Sequence, residues 1–462
     1  MTKAMLFYGH VASNWGDLAI NAGAVDTLRR AGIDIASSTA VTLAPSDAFY
    51  RRATFTLKGL SLRTVPVDAT PRGGREEIDL LTGYLADPGR FAQDTGMTDH
   101  DVVVLNSGEH LFESAAGDNV VDLVWRVLPG LAATAVGLPV VQLPATIGPF
   151  HSQLGVLIEE FVLDGTAAAA FRETESRRLN STQRDVPVLP DPGFHVPGLR
   201  FPDESPTETD TLGIVLRPED MGLRSGSRRT SFVHQKFRDS NYCESRAFAL
   251  FAATAEAHID NGGTVRIIVQ TRSDREISRV LADHLTERFG NDSVEYIDPT
   301  GFREYLTALG TVDALVTSRF HAVILATAQG VPAAGVYSET HGHKMPGLFD
   351  MFRLPDCAVR LDDRDIDTVR TELGSALAVA VEAIEDTRNR VKANRSAGRR
   401  WLSEALQQPP VDDFDVTELR IQALAALYRV GLRRAEDEAL TKVRKSLSDL
   451  EDRMNRPADT DA

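Results

Sequence analysis

Arg319 and His321 are the pair whose types and spacing most clearly suggest chemistry. They fall in Ser318-Arg319-Phe320-His321, directly after the apolar, strand-length run 313–317. Residues 322–329 are apolar and free of Gly and Pro, which predicts a helix. Gly330 is placed to end it, and Val331-Pro332 opens another strand. Arg319 and His321 thus stand where a strand gives way to a helix. In open α/β sheets ligands bind at the carboxyl ends of strands. A helix N-terminus there offers free N–H groups and a positive dipole end to an anion. An Arg and a His at that point could hold a phosphate or a carboxylate. The same four residues would equally suit an Arg paired with a nearby acid and a His that caps the helix.

Other polar turns recur at strand ends. The apolar run 4–9 leads to Asn14, Gly16 and Asp17, and a helix is expected from Leu18 to Arg30. Asp17 has the chemistry of its N-cap, so a ligand role and a plain capping role both fit. The turn is not GxGxxG, so a dinucleotide site is not indicated. The strand 101–106 leads to Ser107-Gly108-Glu109-His110. The strand 139–143 leads to a turn over 144–149, and the short strand 167–171 to Arg172 and Glu173. The strand 212–216 ends at Arg217.

The elements that must position these turns alternate as strand and helix. Residues 1–195 hold four or five βα units, a first Rossmann-like, doubly wound domain. Residues 196–210 are rich in Pro and acids and lack apolar periodicity, which marks a linker. The βα pattern restarts at Leu212 and continues to about residue 355 as a second such domain. Beyond that, 360–462 is an α-helical extension. Residues 367–406 make one or two helices, with Gly374 and Gly398 as the expected breaks. The helix expected from Val120 stops at Pro129-Gly130. Near the end, Leu440, Val443, Leu447, Leu450 and Met454 follow a 3-4-3-4 spacing. That seam could dock on the chain's own body or pair with another copy.

Composition excludes some functions. The formal net charge of −16 argues against a general nucleic-acid surface and against spreading on an anionic membrane. One segment runs the other way: residues 220–239 carry Arg224, Arg228, Arg229, Lys236 and Arg238. They fit a solvated loop or a lid over an anionic substrate. Two cysteines, Cys243 and Cys357, make no disulfide or metal framework, which suits a cytoplasmic protein. The N-terminus lacks the apolar core of a signal peptide. The longest apolar run, near 131–143, is too short to span a bilayer. No HExxH, CxxC or EF-hand spacing occurs; His341 and His343 are a thin metal hint, read more simply as a surface pair.

In this order the turns carry a more specific pattern. It comprises N-x-G-D at 14–17 and L-P-x-T-I-G-P at 143–149. Arg172, Glu173 and Ser176 come next, then Asp191-Pro192 and Leu216-Arg217. It ends with S-R-x-H-x-x-x-x-A-x-x-x-G-x-P at 318–332. The pattern resembles the polysaccharide pyruvyl transferase family over about residues 4–350. The chain departs from it at Asn106–His110, where a Gly-rich turn is usual. It departs again at Ala145, where Gln is common, and at Glu173, where Asp is usual. Lys344 stands where the family's Lys is expected, displaced by a short insertion.

The resemblance implies a GT-B-like arrangement of the two domains around a cleft. It also implies transfer of a pyruvyl group from phosphoenolpyruvate to two hydroxyls of a glycan or glycolipid sugar. The product is a cyclic ketal, and no metal or further cofactor is needed. In that role His321 is the expected general acid. Asp17 and Glu109 are expected to orient or deprotonate the sugar. Arg319, Arg217, Phe320, Asn14, Arg172 and Lys344 are expected to bind substrate. Self-association through the C-terminal helices is a further expectation. Two rival functions fit the same architecture: a glycosyltransferase using a nucleotide sugar, and a non-catalytic scaffold.

Overall fold

The computed structural model describes residues 2–8, 14–42, 57, 59–64, 74–114, 119–180, 182, 184–199, 210–217, 243, 245–338, 344–411 and 414–454. The basic segment 220–239, the greater part of the linker, and His341 and His343 lie outside the described residues.

The first sheet is built from β1 (Ala4–Tyr8), β2 (Thr39–Thr42), β3 (Ser61–Thr64), β4 (Val102–Leu105), β5 (Glu109–Leu111), β6 (Val140–Ile147) and β7 (Ala168–Phe171). Its order is β3-β2-β1-β4-β6-β5, with β7 also paired to β6, and every pairing is parallel. Both faces are covered by helices, so β4 and β6 are buried along their whole length. The covering helices are α1 (Trp15–Arg30), α2 (Arg75–Ala86), α3 (Pro88–Thr95), α4 (Val120–Ala135), α5 (Gln153–Asp164) and α6 (Thr174–Leu179).

The second sheet is built from β8 (Thr211–Val215), β9 (Thr264–Ile268), β10 (Val294–Ile297), β11 (Ala314–Thr317), β12 (Ala333–Tyr337) and β13 (Ala358–Arg360). Its order, β10-β9-β8-β11-β12-β13, is the doubly wound pattern 3-2-1-4-5-6. Its helices are α7 (Arg246–Asp260), α8 (Arg275–Phe289), α9 (Phe302–Gly310), α10 (Phe320–Thr327) and α11 (Lys344–Asp350). The last strand lies beyond the expected domain end at residue 355. Two parallel-sheet α/β domains followed by helices agree with the expected fold class.

Some local expectations are corrected. The helix from Val120 runs through Pro129 to Ala135, because it is a buried core helix. There Gly130 lets the Phe161 ring approach to where a Cβ would stand, 2.8 Å away. The strand from Val140 continues through Pro144 to Ile147, so that turn begins at Gly148. The C-terminal extension is not a separate unit. Its first helix, α12 (Ile366–Glu382), buries Val369, Leu373 and Ala376 in the second domain's core. The break falls at Ala383 rather than at either glycine. The next helix, α13 (Ile384–Ala405), crosses back and buries Leu402 and Ala405 on the first domain. Gly398 is there to allow close approach to Pro190 and His195. The final helix, α14 (Thr417–Met454), is continuous and packs Leu419, Ala423, Ala426 and Leu427 into the first domain's core. No helix among the described residues is long and apolar enough to cross a membrane.

The helix α1 joins the two domains. Trp15, Leu18 and Ala19 lie in one core cluster with Phe302, Tyr305 and Phe320 of the second domain. The Trp15 and Tyr305 rings stack with centroids 6.4 Å apart.

Candidate active site

Each sheet reverses its winding between two neighbouring strands: β1 and β4 in the first, β8 and β11 in the second. Such switch points open a crevice at the carboxyl ends of the strands. Asn14 and Asp17 follow β1, Ser107 and Glu109 follow β4, Arg217 follows β8, and Arg319 to His321 follow β11. The two crevices meet at the domain contact.

On the second-domain side, hydroxyls clamp the strand ends together. The Thr317 hydroxyl donates to the Val215 carbonyl at 2.7 Å and accepts from the Arg319 N–H at 2.9 Å. The Ser318 hydroxyl accepts from the Arg217 N–H at 3.0 Å. This holds Arg217 beside the start of α10. Arg217 itself is buried.

Arg319 has a protein partner. Its Nε donates to Asp274 Oδ2 at 3.1 Å, Nη2 pairs with Asp274 Oδ1, and Nη2 also reaches Thr271 Oγ1 at 3.3 Å. Asp274 is wholly buried and closes a capping box with Thr271. Thr271 forms an antiparallel bridge with Asn14. Arg319 was expected to bind substrate; in the structure its guanidinium is paired with a buried acid, as one of the two readings of the tetrapeptide had it. Asn14, not Asp17, caps α1, accepting from the Gly16 N–H at 3.0 Å. It also accepts from Gln270 Nε2 at 3.3 Å, so it fastens one domain to the other. Asp17 is half-buried in the helix's first turn.

His321 faces the first domain. A Cβ built on Gly16 would stand 2.6 Å from its Nδ1, 2.7 Å from Cγ and 2.8 Å from Cβ. Only a residue without a side chain admits the imidazole there. The Nε2 atom is buried and makes no hydrogen bond among the described residues. Asp191 Oδ2 lies 3.7 Å from it, a distance at which the two interact by charge rather than by a hydrogen bond.

Asp191 belongs to the first domain and is wholly buried. Its Oδ2 accepts from Arg172 Nη1 at 2.8 Å and its Oδ1 from the Gly193 N–H at 2.7 Å. Burial pushes its pKa up. The His321 imidazole, the Arg172 guanidinium and the Gly193 N–H outweigh that and hold it well below the usual carboxylate range. Arg172 is 1% exposed. Its Nε donates to Thr146 Oγ1 at 2.8 Å, and its Cζ lies 4.6 Å over the Phe320 ring. Arg172 and Phe320 were expected to bind substrate. Both are enclosed, and they act as the platform behind His321, whose ring meets Phe320 edge-on.

Lys344, at the start of α11, reaches across the contact and forms an ion pair with Glu109 Oε2 on β5. Its Nζ lies 5.6 Å from the centre of the Phe320 ring. Burial pushes the Lys344 amine down to about 7, against the charge of Asp17; the touching Glu109 carboxylate opposes burial in the same way. Glu109 Oε1 is buried and has no hydrogen-bond partner among the described residues. His110, next on β5, is held well below its ordinary value by burial, Arg126 and Arg172.

Asp17, Glu109, Arg217, His321 and Lys344 are thus brought to one interdomain locus. Asn14, Arg172, Arg319 and Phe320 stand beside it with protein partners. Asp191, Thr146 and His110 stand in motifs the sequence displays but were given no role there, and Asp274 was not singled out. A Thr-x-x-Asp spacing at 271–274 was a usable signal for Asp274.

The Gly16 contact gives a direct test. Gly16→Ala should lower turnover at least about tenfold, since a displacement of about 1 Å can cost up to 10²-fold. Steady-state rates beside thermal melts check this; a variant with wild-type turnover would show that His321 tolerates displacement.

Two parallel-sheet domains joined across charged strand ends define a GT-B-like architecture. Residues 14–340 match the polysaccharide pyruvyl transferase family, and the chain belongs to that family. Membership supports a pyruvyl-transfer role in polysaccharide synthesis. None of the curated proteins matches the chain. Among solved structures, S. aureus MnaA with UDP is similar at 10% identity and TM-score 0.51, over 90% of this chain and 100% of that one. The UDP-GlcNAc 2-epimerase from Neisseria meningitidis bound to UDP-GlcNAc is similar at 9% identity and TM-score 0.51, over 87% and 99%. At such identities the likeness is one of fold.

Proposed function

We propose that this protein transfers the pyruvyl group of phosphoenolpyruvate to two hydroxyls of a glycan sugar, forming a cyclic ketal and releasing phosphate. The observation that carries this is His321, set at the second-domain switch point against Asp191, with its imidazole packed against Gly16 of the first domain. The donor's methylene carbon must gain a proton to become a methyl group. With Nε2 turned to Asp191, that proton comes from Nδ1. The resulting oxocarbenium-like carbon takes one sugar oxygen, loses phosphate, and takes the second oxygen. Two hydroxyl protons are lost overall; one replaces the acid's proton and one leaves with phosphate.

The donor is an anion at both ends, and Arg217 and Lys344 are the cations we assign to it. Donor binding to Lys344 would release Glu109, which is then free to take a hydroxyl proton. Asp17 is assigned to orient the sugar. Arg319, Arg172, Asn14 and Phe320 position these groups.

The experiment is phosphate release from phosphoenolpyruvate against a panel of glycan acceptors, with mass spectrometry of the products. Calorimetric titration with phosphoenolpyruvate and with nucleotide sugars accompanies it. A product gaining a pyruvyl ketal is expected. Tight binding of a nucleotide sugar with no binding of phosphoenolpyruvate would overturn the reading in favour of glycosyl transfer.

A further inference from the structure

The final helix carries two apolar faces. One is spent on the first domain through Leu419, Ala423, Ala426 and Leu427, all at 5% exposure or less. At 100° per residue, Ile421, Tyr428 and Leu432 lie on the opposite side. They are exposed by 50%, 67% and 47%, and Leu440 and Val443 further along by 54% and 55%. From Leu432 to Lys445 every residue is exposed, so the helix leaves the body. A solitary helix that projects into water gains nothing from packing, which is the usual source of helix stability in proteins. An apolar stripe along it is an association surface.

The charges specify what it associates with. Arg433 and Arg434 are basic, Glu436, Asp437 and Glu438 acidic, Lys442, Arg444 and Lys445 basic, and Asp449, Glu451 and Asp452 acidic. Two such helices laid antiparallel, with a twofold axis between Leu440 and Val443, set Glu438 opposite Lys445, twice, and bring the other acids of 436–438 within about one turn of that base. The same arrangement sets Leu440 of one copy against Val443 of the other. A parallel pair would set each block against its own kind. We propose that α14 is a homodimerisation element that pairs antiparallel with the same helix of a second copy.

The full chain is the test object, with mass measured by sedimentation over a range of concentrations. A mass twice the monomer's 50.4 kDa is expected. Leu440→Glu with Val443→Glu should weaken association at least about 100-fold, since burial of both side chains is lost on each copy. Both side chains are exposed in the single chain, so its folding should be unaffected. Reversing 436, 437 and 438 to Lys should give monomers. Mixing these with a chain reversed to Glu at 442, 444 and 445 should restore a dimer. Orientation is read by single cysteines in a Cys243→Ser background. Leu440→Cys should cross-link to itself and Tyr428→Cys should not, because the two copies of 428 lie about 40 Å apart along an antiparallel pair. A monomer at all concentrations, a dimer that survives the Leu440 and Val443 changes, or cross-linking at 428 would each overturn the proposal.

Discussion

Replacing His321 with Ala is expected to slow turnover by about 10²–10⁴-fold, the usual contribution of a positioned proton donor. Binding of phosphoenolpyruvate should weaken less than about tenfold, because the Nδ1 proton is aimed at the methylene carbon and not at the donor's carboxylate or phosphate. Arg217→Ala should divide the other way. It removes a charge-assisted contact, so donor affinity should fall about 10–150-fold with a smaller effect on the saturated rate. Arg217→Lys should recover part of that loss, since Lys lacks the planar two-point contact. Calorimetry with the donor, beside single-turnover rates, separates the two effects. If His321→Ala lost donor affinity and kept its saturated rate, His321 would be a binding residue and the proton source would lie elsewhere.

Arg319 shows how far the sequence carried this reading and where it stopped. Its position at the end of β11 was legible, because an apolar run, a polar turn and an apolar helix leave one place for it. Its partner was not. Asp274 lies 45 residues earlier, one acid among 66 acidic residues, and only the fold brings β9 and β11 into one sheet. Arg172 makes the same point more strongly. An Arg after a short strand reads as exposed, since charged residues are almost never fully buried unless paired. Its pairing needs Asp191, Thr146 and Phe320, which come from three other segments. Gly398 shows the converse error. A glycine inside a helical pattern suggested a break, yet its role is to let α13 press against Pro190. Local chemistry marks the ends of elements, and the contacts between elements decide which marked residues stay open to a ligand.

The second large effect is expected at Asp191. Asp191→Asn keeps an oxygen for the Gly193 N–H, removes the charge and turns the oxygen that accepts from Arg172 into an NH2 group. The Arg172 guanidinium, 1% exposed, is then buried without its counter-ion. Losing one partner of a buried pair typically costs about 3–5 kcal/mol, and the variant should be less stable by that order at pH 7. The pH dependence has a definite sign. The folded-state pKa of Asp191 is depressed, so its charge stabilises the fold above the unfolded carboxylate value and the contribution fades as pH falls below about 4. The gap between wild type and Asp191→Asn should therefore narrow in acid. Adding Arg172→Met should recover much of the stability, because a buried ion pair can be replaced by apolar groups at little cost. Turnover should stay low in the double variant, because His321 still faces no carboxylate. Chemical denaturation from pH 3 to 7, with turnover at each pH where the fold persists, tests both halves. A double variant that regained wild-type turnover with its stability would reduce Asp191 to a packing role and remove it from the account of how His321 is held for proton delivery.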